Sequence, residues 1–140
     1  MPDVKEGCIF CAIASGDGPA DIVASDERTV AFMDINPATR GHALVIPRSH
    51  SENLFEVSEP DLHATMDAVK RLAERMQETL EPDGINVLNS TGRAAWQSVF
   101  HFHLHVIPRY HDDPLELPWI PSPADRDELA RVAEQLRRDG

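Results

Sequence analysis

Cysteine is nearly absent from this chain: 140 residues hold only two, Cys8 and Cys11. A small exported domain stapled by disulfides needs more than that. In a reducing compartment the C-x-x-C spacing reads as half of a metal site or as a redox pair. Long apolar runs are missing too, and none approaches the roughly 20 residues that span a bilayer. The opening run Met1-Pro2-Asp3-Val4-Lys5-Glu6-Gly7 has no apolar segment of the secretory kind. A cytoplasmic protein with no membrane partner is expected. Positive charge is scarce as well, 13 Lys and Arg against 24 Asp and Glu, for a formal net charge of −11. Such a surface does not attract nucleic acid. An anionic ligand would need a locally positive site, made by histidines, helix N-termini or backbone N–H groups.

Internal repeats and low-complexity blocks are absent, and the length suits one domain over 1–140. A Pro-rich stretch from Pro108 to Pro123 marks a C-terminal arm from about residue 110, with a helix after it. Ile9, Phe10 and Ile13 suit a short helix ending near Gly16. Ile22–Ala24 and Thr29–Met33 read as strands joined by a turn over Ser25–Arg28. His42–Ile46 reads as a third strand stopped by Pro47. Ser58 to Glu81 carries a long helix: Ser58 can cap it, Pro60 suits its first turn, and Leu62, Met66, Val69, Leu72, Met76 and Leu80 form one stripe. Ile85–Asn89 and Val99–Ile107 read as two further strands. The last helix, with Pro123 in its first turn, is expected to pack through Leu129, Val132, Ala133 and Leu136. The order predicts an α+β fold, a five-stranded antiparallel sheet with its helices on one side.

Three of the seven histidines alternate within one apolar segment, His101-Phe102-His103-Leu104-His105. Alternation puts the three imidazoles on one face, about 6.6 Å apart, and Phe100, Phe102, Leu104 and Val106 on the other. Two chemistries fit a row of imidazoles. Histidines on a strand can hold a catalytic Zn²⁺. A neutral imidazole can instead act as a nucleophile, its neighbours binding phosphate and moving protons.

The segment Gln97-Ser98-Val99-Phe100-His101-Phe102-His103-Leu104-His105-Val106-Ile107 resembles the signature of the histidine triad (HIT) nucleotide hydrolases and transferases. Phe32-Met33-Asp34-Ile35-Asn36-Pro37 and Gly41-His42-Ala43-Leu44-Val45-Ile46-Pro47 resemble that family's nucleotide-binding elements, in the same order. The resemblance runs from about Cys8 to Arg109. It implies cleavage at the α-phosphate of nucleoside phosphoramidates or dinucleoside polyphosphates, with an AMP-like purine nucleotide bound and a homodimer as the assembly. His103 would be the nucleophile. His105 would donate to α-phosphate oxygens, His42 would lie on the phosphate and leaving-group side, and Ser98 would position or protonate the leaving group. Asp34 would take the ribose hydroxyls, and Asn89 would lie near phosphate and ribose. Gln97 and Val99, beside Ser98, would offer backbone N–H groups to nonbridging oxygens. Ile9, Phe10, Ile13, Phe32 and Ile35 would wall the base.

In a zinc-carrying subset of the family, a cysteine pair, a histidine after the third strand and the first triad histidine hold the metal. By that resemblance the ligands are Cys8, Cys11, His50 and His101, and the Zn²⁺ is structural, with no open position. One residue departs from the pattern. Trp96 stands just before Gln97-Ser98, where family members usually carry a small residue, often Gly. That leaves the backbone phosphate contact and the leaving-group preference open. Two rival functions remain at this stage: a hydrolase using the histidines as catalytic zinc ligands, and a nucleotide-binding module without turnover.

Overall fold

The computed structural model describes residues 2–138; Met1, Asp139 and Gly140, the ends of the domain expected over 1–140, lie outside the described residues. The strands are β1 (Ile22–Ser25), β2 (Thr29–Met33), β3 (Ala43–Pro47), β4 (Gly84–Leu88) and β5 (Leu104–Arg109). They form one antiparallel sheet in the order β1-β2-β3-β5-β4. The helices are α1 (Ile9–Ala14), α2 (Glu59–Leu80) and α3 (Arg126–Arg138). The α+β class and the five antiparallel strands agree with the sequence.

Local signals fix most boundaries. Asp26 Oδ1 accepts from the N–H groups of Arg28 and Thr29, both at 2.8 Å, which closes the β1–β2 turn. Ser58 Oγ accepts from Asp61 N–H at the start of α2, and Glu81 ends it in the left-handed region. The buried stripe of α2 is Thr65, Val69, Leu72 and Met76. Met66, assigned to that stripe from its spacing, is exposed.

The helices do not share one side of the sheet, as the sequence had suggested. Ala31, Ala43, Val45, Phe102, Leu104 and Val106 face α2. Val30, Phe32, Leu44 and Ile46 face α1 through Phe10 and Ile13. Central strands covered on both faces read as continuous apolar runs, so alternation could not reveal the second layer. The histidine segment also differs from the expected strand. The ladder begins at Leu104, opposite Val45, so Val99 to His103 precede it.

The C-terminal helix is corrected too. It starts at Arg126, after an Asp125 cap, and Leu129, Val132 and Leu136 are exposed, with only Ala133 half-buried. α1 and α2 cover the two faces of the central strands, and the apolar side chains Leu129, Val132 and Leu136 of α3 stay outside that core. Beside the site, one glycine is required by geometry. Gly41 has φ +94°, and a Cβ there would lie 2.5 Å from Leu80 Cδ1 and 3.1 Å from Pro108 Cγ. It turns the chain directly into His42.

Candidate active site

Hydrogen bonds fix the tautomers of His42, His101, His103 and His105, because a carbonyl can only accept and an amide N–H can only donate. His103 Nδ1–H donates to the His101 carbonyl at 2.6 Å. Burial lowers its basicity, against the pull of that bond and of Asp34, so the ring is neutral near pH 7. Its Nε2 therefore carries a lone pair. Ala38 N–H donates to His42 Nδ1 at 2.9 Å. His42 must then be protonated on Nε2, which donates to His105 Nδ1 at 2.9 Å. That leaves the His105 proton on Nε2. Asp34 Oδ2 lies 3.4 Å from the same His42 nitrogen. The chain from Ala38 through His42 to His105 thus has one polarity, set by a backbone amide. It also bears on metal binding by Asp34, His42 and His105, whose ligand atoms lie close together. With Nδ1 engaged by a donor, His42 Nε2 has no lone pair to give a cation.

A cavity of about 500 Å³ opens over this row. Its apolar wall includes Ile9, Phe10, Ile13, Phe32 and Ile35, and its polar atoms come from Asp34, Ser98, His103 and His105. Phe10 meets the His103 ring edge-on, with centroids 5.2 Å apart, so α1 is both wall and support. The two ends of β3 carry different partners. At one, Asp34 N–H donates to the His42 carbonyl. At the other, His101 Nε2–H donates to the Pro47 carbonyl at 2.8 Å, and Ser98 and Val99 stand three and two residues before that histidine. His103 lies between.

The bond to Pro47 leaves the His101 Nδ1 lone pair pointing at a second cluster. Nδ1 of His101 is 3.4 Å from Cys8 Sγ, 3.5 Å from Cys11 Sγ and 3.3 Å from His50 Nδ1. His50 Nδ1 is 3.5 Å from Cys11 Sγ. A tetrahedron with Zn–N of about 2.0–2.1 Å and Zn–S of about 2.3 Å has edges of about 3.3–3.8 Å. The donors fit it. Two amides already point at the sulfurs, Cys11 N–H at Cys8 and Lys5 N–H at Cys11, as thiolate ligands require. His50 Nε2 is buried with no hydrogen-bond partner, so only the cluster holds that ring.

Residues 15–112 match the HIT domain. The chain belongs to the HIT family. Protein hit of Bacillus subtilis is 47% identical over 105 residues, covering 75% of this chain and 72% of that protein. Adenosine 5′-monophosphoramidase of Schizosaccharomyces pombe is 35% identical over 130 residues, 92% of this chain and 95% of that protein. Among solved structures, a zinc-bound histidine triad family protein from Mycobacterium smegmatis is 39% identical with a TM-score of 0.75, covering 96% of this chain and 98% of the other.

Not every residue singled out in this HIT chain lines the cavity. Gln97 is buried, and its amide braces the loop: Oε1 accepts from Gly92 N–H at 2.8 Å, and Nε2 donates to the carbonyls of Glu52 at 2.6 Å and Val99 at 3.1 Å. Asn89 Nδ2 donates to the His103 carbonyl at 3.1 Å, away from the cavity lining. Ala38 went unnoticed in the sequence because its part is played by a backbone amide. Asn36 acts through its backbone too; its N–H donates to Asp34 Oδ1 at 2.7 Å and aims that carboxylate.

The buried row makes stability depend on pH. Burial, with His103 and His42 nearby, lowers His105 to about 4, and burial also lowers His42. In the unfolded chain both return to about 6.5. Below that value the unfolded state takes up protons that the folded state refuses, so stability falls from pH 6.5 towards 4. Denaturant titrations at pH 6.5 and 4.5 should show this fall, and His105→Gln should make it shallower. An unchanged slope in the variant would contradict the assignment.

Proposed function

We propose that this HIT protein is a nucleotidyl hydrolase or transferase acting at the α-phosphate of purine nucleoside phosphoramidates or dinucleoside polyphosphates. The observation that carries the reading is His103. Its Nδ1–H is spent on the His101 carbonyl, its ring is neutral, and its Nε2 lone pair belongs to a cavity of nucleotide size. The base packs against Phe10, Ile13 and Phe32 and the ribose hydroxyls bond to Asp34. The α-phosphate meets His103 Nε2 and the Nε2–H of His105.

Attack forms an Nε2–P bond as the P–N or P–O bond to the leaving group breaks. The leaving group takes a proton from Ser98 or from the His105 side of the relay. The nucleotidyl-imidazole keeps its Nδ1–H and is cationic, so it is a good leaving group in turn. Water then attacks phosphorus and returns a proton to the group that protonated the leaving group, His103 Nε2 departs with the electron pair, and AMP is released. Donors aimed at the phosphoryl oxygens stabilise both transition states. Zn²⁺, held by Cys8, Cys11, His50 and His101, would supply a structural cross-link between α1 and the histidine segment. The single-polarity relay favours this reading over a catalytic metal.

The test is AMP release from adenosine 5′-phosphoramidate under a mild chelator. Steady turnover is expected. Saturable AMP binding with no turnover, on this substrate and on diadenosine polyphosphates, would mean a binding module instead.

A further inference from the structure

Among the described residues only two non-glycine residues have positive φ, Glu81 and Trp96. Glu81 ends α2. Trp96, at φ 75° and ψ 21°, ends the short 3-10 turn Arg93–Ala95, its N–H donating to the Arg93 carbonyl at 2.9 Å. Glycine takes this conformation without strain, whereas any residue with a Cβ does so at a cost. Packing does not repay that cost, because Trp96 is 66% exposed. Neither the backbone nor the core accounts for an indole here.

The turn is rigid. The Gln97 amide ties it to the Glu52 carbonyl and to Gly92, and the Arg93 guanidinium sits 4.9 Å above the centre of the Phe100 ring. Its position relative to the site follows from the chain. Trp96 is two residues before Ser98, so their Cα atoms are at most about 7 Å apart. Ser98 also borders a groove with Cys8, Ile9 and His50, beyond the Pro47 end of β3, whereas Asp34 is tied to His42 ahead of its first residue. If the nucleoside occupies the Asp34 end, whatever leaves the α-phosphate must extend past Ser98.

Resting on the function proposed above, we infer that Trp96 determines specificity on the leaving-group side, giving a flat aromatic surface to leaving groups that carry a planar ring. Such a ring has two chemical sources, the second nucleoside of a dinucleoside polyphosphate and an arylalkyl amine of a phosphoramidate. Ammonia, the leaving group of the parent phosphoramidate, is too small to touch the indole. The braced backbone fixes where the indole stands, and an indole has only two side-chain torsions to lose when a substrate stacks on it, so most of the stacking energy is available to the transition state.

The test measures kcat/KM of wild type, Trp96→Gly and Trp96→Phe on three substrates sharing one adenylyl half. These are adenosine 5′-phosphoramidate, its N-(2-naphthylethyl) derivative and a diadenosine polyphosphate. Loss of one stacked ring should lower kcat/KM about tenfold on a ring-bearing substrate. Trp96→Gly should stay within about twofold of wild type on the ammonia substrate. Trp96→Phe should recover most of the loss. Which ring-bearing substrate suffers identifies the source. Trp96→Gly should melt at or above the wild-type temperature, since glycine relieves the backbone. Equal loss on all three substrates, or no loss on either ring-bearing one, overturns the role of Trp96. If wild type releases AMP from none of them, the nucleotidyl-transfer reading falls and this inference falls with it.

Discussion

Replacing His103 with alanine should lower kcat for AMP release by on the order of 10⁴-fold or more, with AMP affinity little changed. The size follows from what is lost. The proposed route splits one displacement at phosphorus into two through an Nε2–P bond, and alanine offers no atom to form it. No neighbour can substitute. His105 faces the cavity as an N–H donor, because its Nδ1 accepts from His42. His101 has both nitrogens committed, one to the Pro47 carbonyl and one to the cysteine cluster. His105→Ala should cost less, about 10²–10³-fold, as expected for a lost donor to a phosphoryl oxygen. Alanine at 103 also leaves the His101 carbonyl without its partner, so His103→Asn belongs beside it, with an amide that can still donate. Circular dichroism and AMP titration establish that both variants fold and bind. A larger effect from His105 than from His103 would exchange their roles, and a near-normal His103→Asn would sink the covalent route.

Much of this could be read from the chain, for local reasons. The α2 boundaries fall within a residue of expectation because Ser58, Pro60 and the Pro82-Asp83-Gly84 stop act over one turn. The β1–β2 hairpin is set by Asp26, which bonds two amides within three residues. What escaped the reading depends on partners far along the chain. The segment Val99–His103 has a strand's alternation and still stays out of the ladder. β3 ends there at Pro47, which has no N–H to offer, and the Pro47 carbonyl is taken by the His101 ring. The apolar face of α3 is as regular as that of α2, yet its Leu129, Val132 and Leu136 are exposed, while α1 and α2 cover the central strands. Regular spacing shows that a helix has an apolar face, not that the fold has a place for it.

The candidate site divides in the same way. The residue types at 34, 42, 98, 101, 103 and 105 stand in the sequence, but their proton positions do not. Those are decided by the carbonyls of Pro47 and His101 and by the amide of Ala38, backbone groups that carry no mark in the sequence and that only the fold aims. Gln97 shows the converse. A polar side chain beside the motif braces the loop instead of lining the cavity.

Removing the metal should cost stability far more than catalysis. The purified protein should carry one zinc per chain, and Cys11→Ser should carry little. The loss should lower unfolding free energy by about 4 kcal/mol or more, the range reached when a structural metal goes. Burial and the adjacent Cys8 push the Cys11 thiol up, so without a cation that sulfur stays protonated. The four side chains then make only weak mutual contacts, with His50 Nε2 still buried and unpartnered. The cross-link is also long in sequence, tying positions 8 and 11 to 50 and 101, so losing it leaves α1 held to the histidine segment by Phe10 packing alone. Catalysis is more shielded. The His101 carbonyl and the Phe10 ring of α1 connect the cluster to His103; Phe10 also packs on Phe32, and Pro47 and Asn89 still hold that stretch of chain. Well below its melting temperature, Cys11→Ser should therefore keep kcat within about tenfold of wild type, the small end of effects on groups one bond removed from a site. Metal analysis, thermal melts and AMP release on the same samples separate the cases. A wild type that holds no metal would return Cys8 and Cys11 to the role of a redox pair. Turnover that tracks zinc content in protein that is fully folded would instead move the metal into the chemistry and remove the case for a purely imidazole route.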